Sequence, residues 1–244
     1  MYTRLCSGLL FPLHERIKGH DSTALRKELE RTQWLPPQEL SKLQLARLGR
    51  FLELAERSVP YYRTLFRQCG FEPRRLDSLT ELRQIPFLSK PLIRANGAEL
   101  KAEPAGRLIR YNTGGSSGEP LVFYMGMERV SHDVAAKWRA TRWWGVDIGD
   151  PEIVLWGSPI EVSAQDRLRS LRDLVFRSRL LPAFDMSEAR MDEYLRVIRR
   201  VQPRMMFGYA SALARLADHA RSTGVPLTDI GVHVVFVTGE TLYP

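Results

Sequence analysis

Two cysteines, Cys6 and Cys69, are all that the 244 residues hold. That is too few for a disulfide framework and points to a reducing compartment, with the cytoplasm as the default. Histidine is also scarce: His14, His20, His132, His219 and His233 fall at no spacing that pairs them with one another or with a cysteine, so no structural zinc is expected. No run approaches the roughly 20 apolar residues of a membrane span. The apolar patch at 8–13 contains Pro12 and has no small-residue cleavage site after it, so it does not read as a signal peptide. Strand-forming runs are nearly missing before residue 106, and there is no internal repeat or low-complexity tract.

What is present describes a globular chain. A hydrophobic content of 44% over this length supports a sizeable core. The net charge of +8 raises the question of nucleic acid. The excess is arginine spread along helix-periodic segments, without zinc-finger spacing or an RNA-binding aromatic signature, so nucleic acid is not expected as a partner. A positive field instead raises the local concentration of anionic small molecules. The densest cluster interleaves Arg167, Arg169, Arg172, Arg177 and Arg179 with Leu168, Leu171, Leu174 and Val175. Solvated helix faces account for it, and a basic amphipathic helix touching a membrane or partner is the lesser alternative.

Periodicity predicts helices over about 21–34, 38–58 and 61–69, short helical pieces between Leu76 and Ala95 with Ser89 as an N-cap, and helices over about 130–145, 164–181, 187–201 and 211–222. Strands are expected over 107–111, 121–124, 152–156, 204–207 and 232–238. The fold class is therefore α/β: a helical lead-in over 1–105, then over 106–244 a mainly parallel sheet flanked by helices. Ligands of such sheets bind beyond the carboxyl ends of strands. That rule selects Gly157 and Ser158, Gly208 and Tyr209, and Gly239 and Glu240.

The stretch Tyr111 to Pro120 reads Tyr-Asn-Thr-Gly-Gly-Ser-Ser-Gly-Glu-Pro. Gly114, Gly115 and Gly118 permit close backbone approach, and Thr113, Ser116 and Ser117 add hydroxyl donors, a combination suited to gripping phosphate. A plain hairpin loop is the bland alternative. A nucleotide P-loop requires Lys-Ser/Thr after its last glycine, where this chain has Glu119 and Pro120. Gly114 to Gly118 matches a nucleophile elbow in letters, making Ser116 a formal hydrolase candidate with Asp185 and His233 as partners. An elbow leads into a helix, however, and residues 121–124 read as a strand.

Thr113 to Pro120 resembles the phosphate-binding signature of adenylate-forming enzymes. Val59 to Arg63, Ile85 to Lys90, Trp138, Gly145 to Asp150, Phe207 to Ala212 and Thr238 to Leu242 resemble, in the same order, segments of the phenylacetate-CoA ligase and CapK-like branch. The resemblance runs from about Leu40 to the last residue. It implies ATP-dependent activation of a small carboxylic acid, with Mg²⁺, and transfer of the acyl group to CoA, with polysaccharide biosynthesis as one setting. It implies phosphate binding by Thr113, Gly114, Gly115, Ser116, Ser117 and Gly118, an adenine site at Gly239, Glu240 and Thr241, and an acyl pocket shaped by Gly208, Tyr209 and Ser211. Members of that family continue into a Tyr-Gly-x-x-Glu-like motif, a ribose-binding Asp, a metal-binding Glu and a small domain with a catalytic Lys. On this reading the chain is the front part of a ligase and inactive alone. The rival expectation is a non-catalytic nucleotide-binding or docking protein.

Overall fold

The computed structural model describes residues 1–112, 121–157 and 167–240, with the side chains of 167–170 left aside. The chain divides into two compact units, Gly19–Val134 and Met1–Lys18 with Ala135–Pro244.

The first of these units is mostly helical. Helices α3 (Ser22–Thr32), α4 (Pro37–Ser58), α5 (Pro60–Cys69) and α6 (Lys90–Ala95) follow one another, with two short 3₁₀ turns, Pro73–Arg75 and Leu79–Gln84, between α5 and α6. Prolines set the starts of α4 and α5, where a missing N–H costs nothing. Gly70, at φ 67°, closes α5. Leu52, Phe66 and Phe71 form its small core. Ser89 stands at the N-cap of α6, as expected, without a side-chain capping bond. Strands β1 (Leu108–Asn112) and β2 (Val122–Gly126) pair antiparallel, Asn112 opposite Val122. The stretch 113–120 is therefore bracketed by two strands, as expected, and does not lead into an elbow helix.

In the other unit, α1 (Tyr2–Leu5), a π-helical stretch (Cys6–Leu10) and α2 (Phe11–Ile17) form one continuous run. Helix α7 (Met127–Arg142) enters from the first unit. Then follow β3 (Glu152–Trp156), α8 (Arg167–Val175), β4 (Ser178–Pro182), α9 (Glu188–Val201), β5 (Met205–Gly208), α10 (Ala210–Ser222) and β6 (Val234–Val237). The strands form one parallel sheet in the order β4-β3-β5-β6. Connections from β3 thus proceed first to one side and then to the other, which makes the β3/β5 junction the switch point of the sheet. Ile153 and Leu155 are fully buried against Tyr194, Leu195 and Ile198 of α9 and Leu216 and Ala220 of α10. The alternating residues Val154 and Trp156 point to the opposite face and are only half-buried.

One expected helix is wrong. The segment 164–181 does not stay helical: α8 stops at Val175, Arg177 takes φ 56°, and Ser178–Pro182 becomes the edge strand β4. The helical period of leucines ends at Leu174, and Leu181, 5% exposed, enters the sheet core. His233 was expected inside a strand. It precedes β6, is exposed, and lies 3.4 Å from Arg204.

Candidate functional site

The carboxyl ends of β3, β5 and β6 gather the site residues. At the switch point Trp156, the last residue of β3, stacks on Tyr209 with ring centroids 4.1 Å apart and planes at 14°. Phe207 continues the row, its centroid 5.6 Å from Trp156. Trp156 and Phe207 lie on the sheet face of Lys137 of α7, which is 5.7 Å from the Phe207 centroid and 2.5 Å from buried Glu152, while Tyr209, just past β5, also packs against the core cluster of Ile153 and Leu155. Half-buried aromatic faces in a row make a shelf for a flat or apolar group.

Two glycines shape this shelf for different reasons. A Cβ on Gly208 would sit 2.5 Å from the Leu155 carbonyl oxygen, so β5 can lie this close to β3 only without a side chain. Gly239 has φ 81°, and a Cβ there would stand 3.1 Å from the Tyr209 ring and 3.6 Å from Trp156. Glycine keeps the ring edge uncovered.

Glu240 fastens the end of β6 to the start of α10. Its carboxylate accepts 2.8 Å bonds from both the backbone N–H and the hydroxyl of Ser211. Ser211 lies within the first turn of α10 and is itself the capped residue. The cap comes from 29 residues away and also places negative charge at a helix N-terminus. Hence the residues expected at an adenine site and those expected at an acyl pocket meet: Glu240 at Ser211, Gly239 at Tyr209. Thr241, Ser158 and the whole phosphate set Thr113, Gly114, Gly115, Ser116, Ser117 and Gly118 lie outside the described residues.

Two other readings fare differently. Asp185 follows β4 at the carboxyl edge of the sheet, while His233 precedes β6 at the amino edge. They stand at opposite ends of the two outer strands, so they cannot serve one hydrolase triad with Ser116. Among the described residues no group of three or more His, Cys, Asp or Glu side chains is placed to hold a metal ion. The helical unit has an apolar groove of about 1130 Å³ between α4, α6 and the β1–β2 hairpin, with no expected site residue in its lining. Sequence reasoning missed Trp156 as a site residue. The signal was available, because Trp156 ends the apolar run Ile153–Leu155 at the carboxyl end of a strand, the end at which ligands of parallel sheets bind.

No family model matches the chain. In sequence it is 22% identical over 205 residues to Protein CapK of Staphylococcus aureus, covering 84% of this chain and 45% of CapK. It is 26% identical over 193 residues to phenylacetate-coenzyme A ligase of Pseudomonas putida, covering 78% and 43%. In fold it is similar to 2-hydroxyisobutyryl-CoA ligase in the postadenylation state in complex with 2-HIB-AMP, with TM-score 0.66, 20% identity and coverage of 84% and 44%. The same ligase with 2-HIB-AMP and CoA in the thioesterification state matches with TM-score 0.60 and 21% identity. The chain thus spans less than half the length of these relatives. Its α/β fold is that of the N-terminal domain of an adenylate-forming ligase, and its sequence relatives are the two proteins whose branch the motifs resemble.

Proposed function

We propose that the chain carries the acyl- and nucleotide-binding face of an ATP-dependent carboxylate-activating enzyme that makes an acyl-adenylate and then a CoA thioester. In the first step a carboxylate oxygen forms a bond to the α-phosphorus of ATP while the bond to the bridging oxygen of pyrophosphate breaks. In the second, the CoA thiol loses its proton and bonds to the acyl carbon as AMP leaves. Neither step requires a side-chain nucleophile. The work is positioning and spreading of negative charge.

The observation that carries this reading is the Trp156–Tyr209 shelf at the switch point with Gly239 at its rim. Tyr209 and Gly208 border the acyl group, Gly239 leaves room for the adenine plane, and Glu240 fixes the rim by holding Ser211. Thr113 to Gly118 grip the β- and γ-phosphates, on sequence grounds. Mg²⁺ accompanies ATP as part of the substrate, and the described carboxylates form no cluster to hold it. The acid is an aryl acetate or a sugar- or amino-acid-linked carboxylate.

The test is binding of acyl-adenylate mimics, in which a sulfamate replaces the phosphate, across a panel of acyl groups. Ligand that binds only folded protein raises the Tm by mass action. At least one mimic is expected to raise the Tm of the wild type and not that of Gly239→Val. If no mimic shifts the Tm, or if Gly239→Val responds as the wild type does, the reading is wrong.

A further inference from the structure

The run from Tyr2 to Ile17 presents two unlike faces. Cys6, Phe11 and Glu15 are buried against the rest of their unit. On the outward side Leu5, Leu9, Leu13 and Ile17 recur every fourth residue and are 46%, 58%, 54% and 78% exposed. A four-residue step overshoots one turn of α-helix and undershoots a turn of the wider π-helix. The π stretch Cys6–Leu10 therefore counteracts the drift and keeps the leucines in one stripe. Solvent-facing helix surfaces are ordinarily polar, so a four-member apolar stripe needs a cover.

The charges say which cover fits. Arg4, Arg16 and Lys18 are exposed beside the stripe, at both of its ends. The sole carboxylate of residues 1–18 is Glu15, which is 3% exposed and 3.0 Å from His14. No exposed side chain of this run is negative. The adjoining helix α8 extends the pattern. Its Val175 carbonyl accepts the Tyr2 hydroxyl at 2.6 Å, the Phe176 ring packs 5.7 Å from Phe11, and Leu171 and Leu174 are 58% and 71% exposed.

We propose that this face, made by Tyr2–Ile17 with Leu171 and Leu174 beside it, docks the protein on the surface of an anionic lipid bilayer. The leucines enter the acyl boundary and Arg4, Arg16 and Lys18 meet the lipid phosphates, the arrangement of interfacial helices. No helix among the described residues is long and apolar enough to cross a membrane, so the contact is peripheral. A second copy of the chain is a poorer cover, because a twofold axis would bring cations of both copies together with no carboxylate between them. The inference does not rest on the proposed enzymatic activity.

Co-sedimentation of the whole chain with vesicles tests it. Vesicles containing phosphatidylglycerol should pellet the protein on the order of a hundredfold more strongly than pure phosphatidylcholine, given three cations near the surface. Leu9→Gln with Leu13→Gln should weaken that binding at least about tenfold, both side chains being exposed and so outside the core. Arg4→Gln, Arg16→Gln and Lys18→Gln together should abolish the preference for anionic lipid. Phe87→Gln, at a 99% exposed apolar position elsewhere, should change nothing. Circular dichroism verifies that each variant is folded. The proposal fails if anionic vesicles do not pellet the wild type, or if both sets of variants pellet like it. It also fails if the stripe variants instead dissolve a dimer of a chain that does not bind vesicles.

Discussion

The two edges of the parallel sheet are built from the same strands and are unlike in chemistry. At the amino edge the chain is tied down by charge. Asp150 accepts from Thr3 at 2.8 Å, from the Asp147 N–H at 2.9 Å and from Arg204 at 3.5 Å. Arg142 grips Asp147 at 2.6 and 3.0 Å, and Lys137 holds Glu152. Along β3, β5 and β6 the carboxyl edge presents rings and glycines, Trp156, Gly157, Gly208, Tyr209 and Gly239, while Asp185 lies beyond β4 beside Arg190. The carboxylate of Glu240 fastens a helix. Satisfied buried charge fixes the strands in place, and the opposite edge is thereby free to stay open and apolar. On the proposed function, one edge carries stability and the other recognition.

The sharpest way to break this contrast is Asp150→Ala. Asp150 is 6% exposed, and its removal leaves Thr3, the Asp147 amide and Arg204 short of their acceptor. A loss of ~2–4 kcal/mol of folding stability is expected in urea unfolding, with adenylate-mimic affinity per folded molecule unchanged. If affinity falls while stability holds, the two edges have been assigned the wrong way round. Acid probes the same edge. Burial alone would raise the Asp147 pKa, but bonds from Arg142 and the Ile148 N–H bring it below its ordinary 3.8. The stability this supplies is present above that value and lost as pH falls beneath it.

Gly239→Val should do the reverse. Its left-handed φ costs a side chain ~1–2 kcal/mol on an exposed turn. The added methyls meet the Tyr209 ring, so mimic affinity should fall at least about tenfold, by titration calorimetry. Glu240→Ala is the intermediate case. It removes the cap of α10 and should lower stability by ~1 kcal/mol, while Glu240→Gln retains an acceptor for Ser211 and recovers most of it. Equal loss of affinity in both variants, without loss of stability, would show that the carboxylate touches ligand directly.

The sequence disclosed these edges unevenly. Strand β3 and the glycine-ended strands were legible because their apolar runs are bounded by Pro151, Gly157, Gly208 and Gly239, and punctuation of that kind survives without tertiary context. Helices α9 and α10 were legible from their period. Strand β4 was not, because Leu180 and Leu181 continue a leucine-rich stretch. Only pairing with β3 makes Ser178–Pro182 extended, a case of tertiary context overriding local pattern. The Glu240–Ser211 cap, the Trp156–Tyr209 stack and the Asp150 cluster join residues far apart in the chain, which no local spacing reveals. Leu9 and Leu13 were visible within the apolar patch at 8–13, but the outward stripe that they form with Leu5 and Ile17 became apparent only once Cys6, Phe11 and Glu15 were seen buried.

The smallest effect concerns His14, on the helical run beside the amino edge. Burial pushes its pKa below the ordinary 6.5, aided by Lys18 and Arg172 and opposed by its hydrogen bond to Glu15. The unfolded chain therefore binds this proton at higher pH than the folded one. Stability should rise with pH across the interval between the lowered folded value and 6.5, and be independent of this group above it. Unfolding curves between pH 5 and 7.5 should show that slope in the wild type and a flatter one in His14→Gln, which keeps a polar side chain near Glu15. The contribution is modest, because the imidazole is 27% exposed and solvent moderates the penalty. A wild-type slope of opposite sign would mean that Glu15 dominates and that His14 is held protonated, which would place a charged ion pair on the buried face of the run and weaken the assignment of all its positive charge to the outward side.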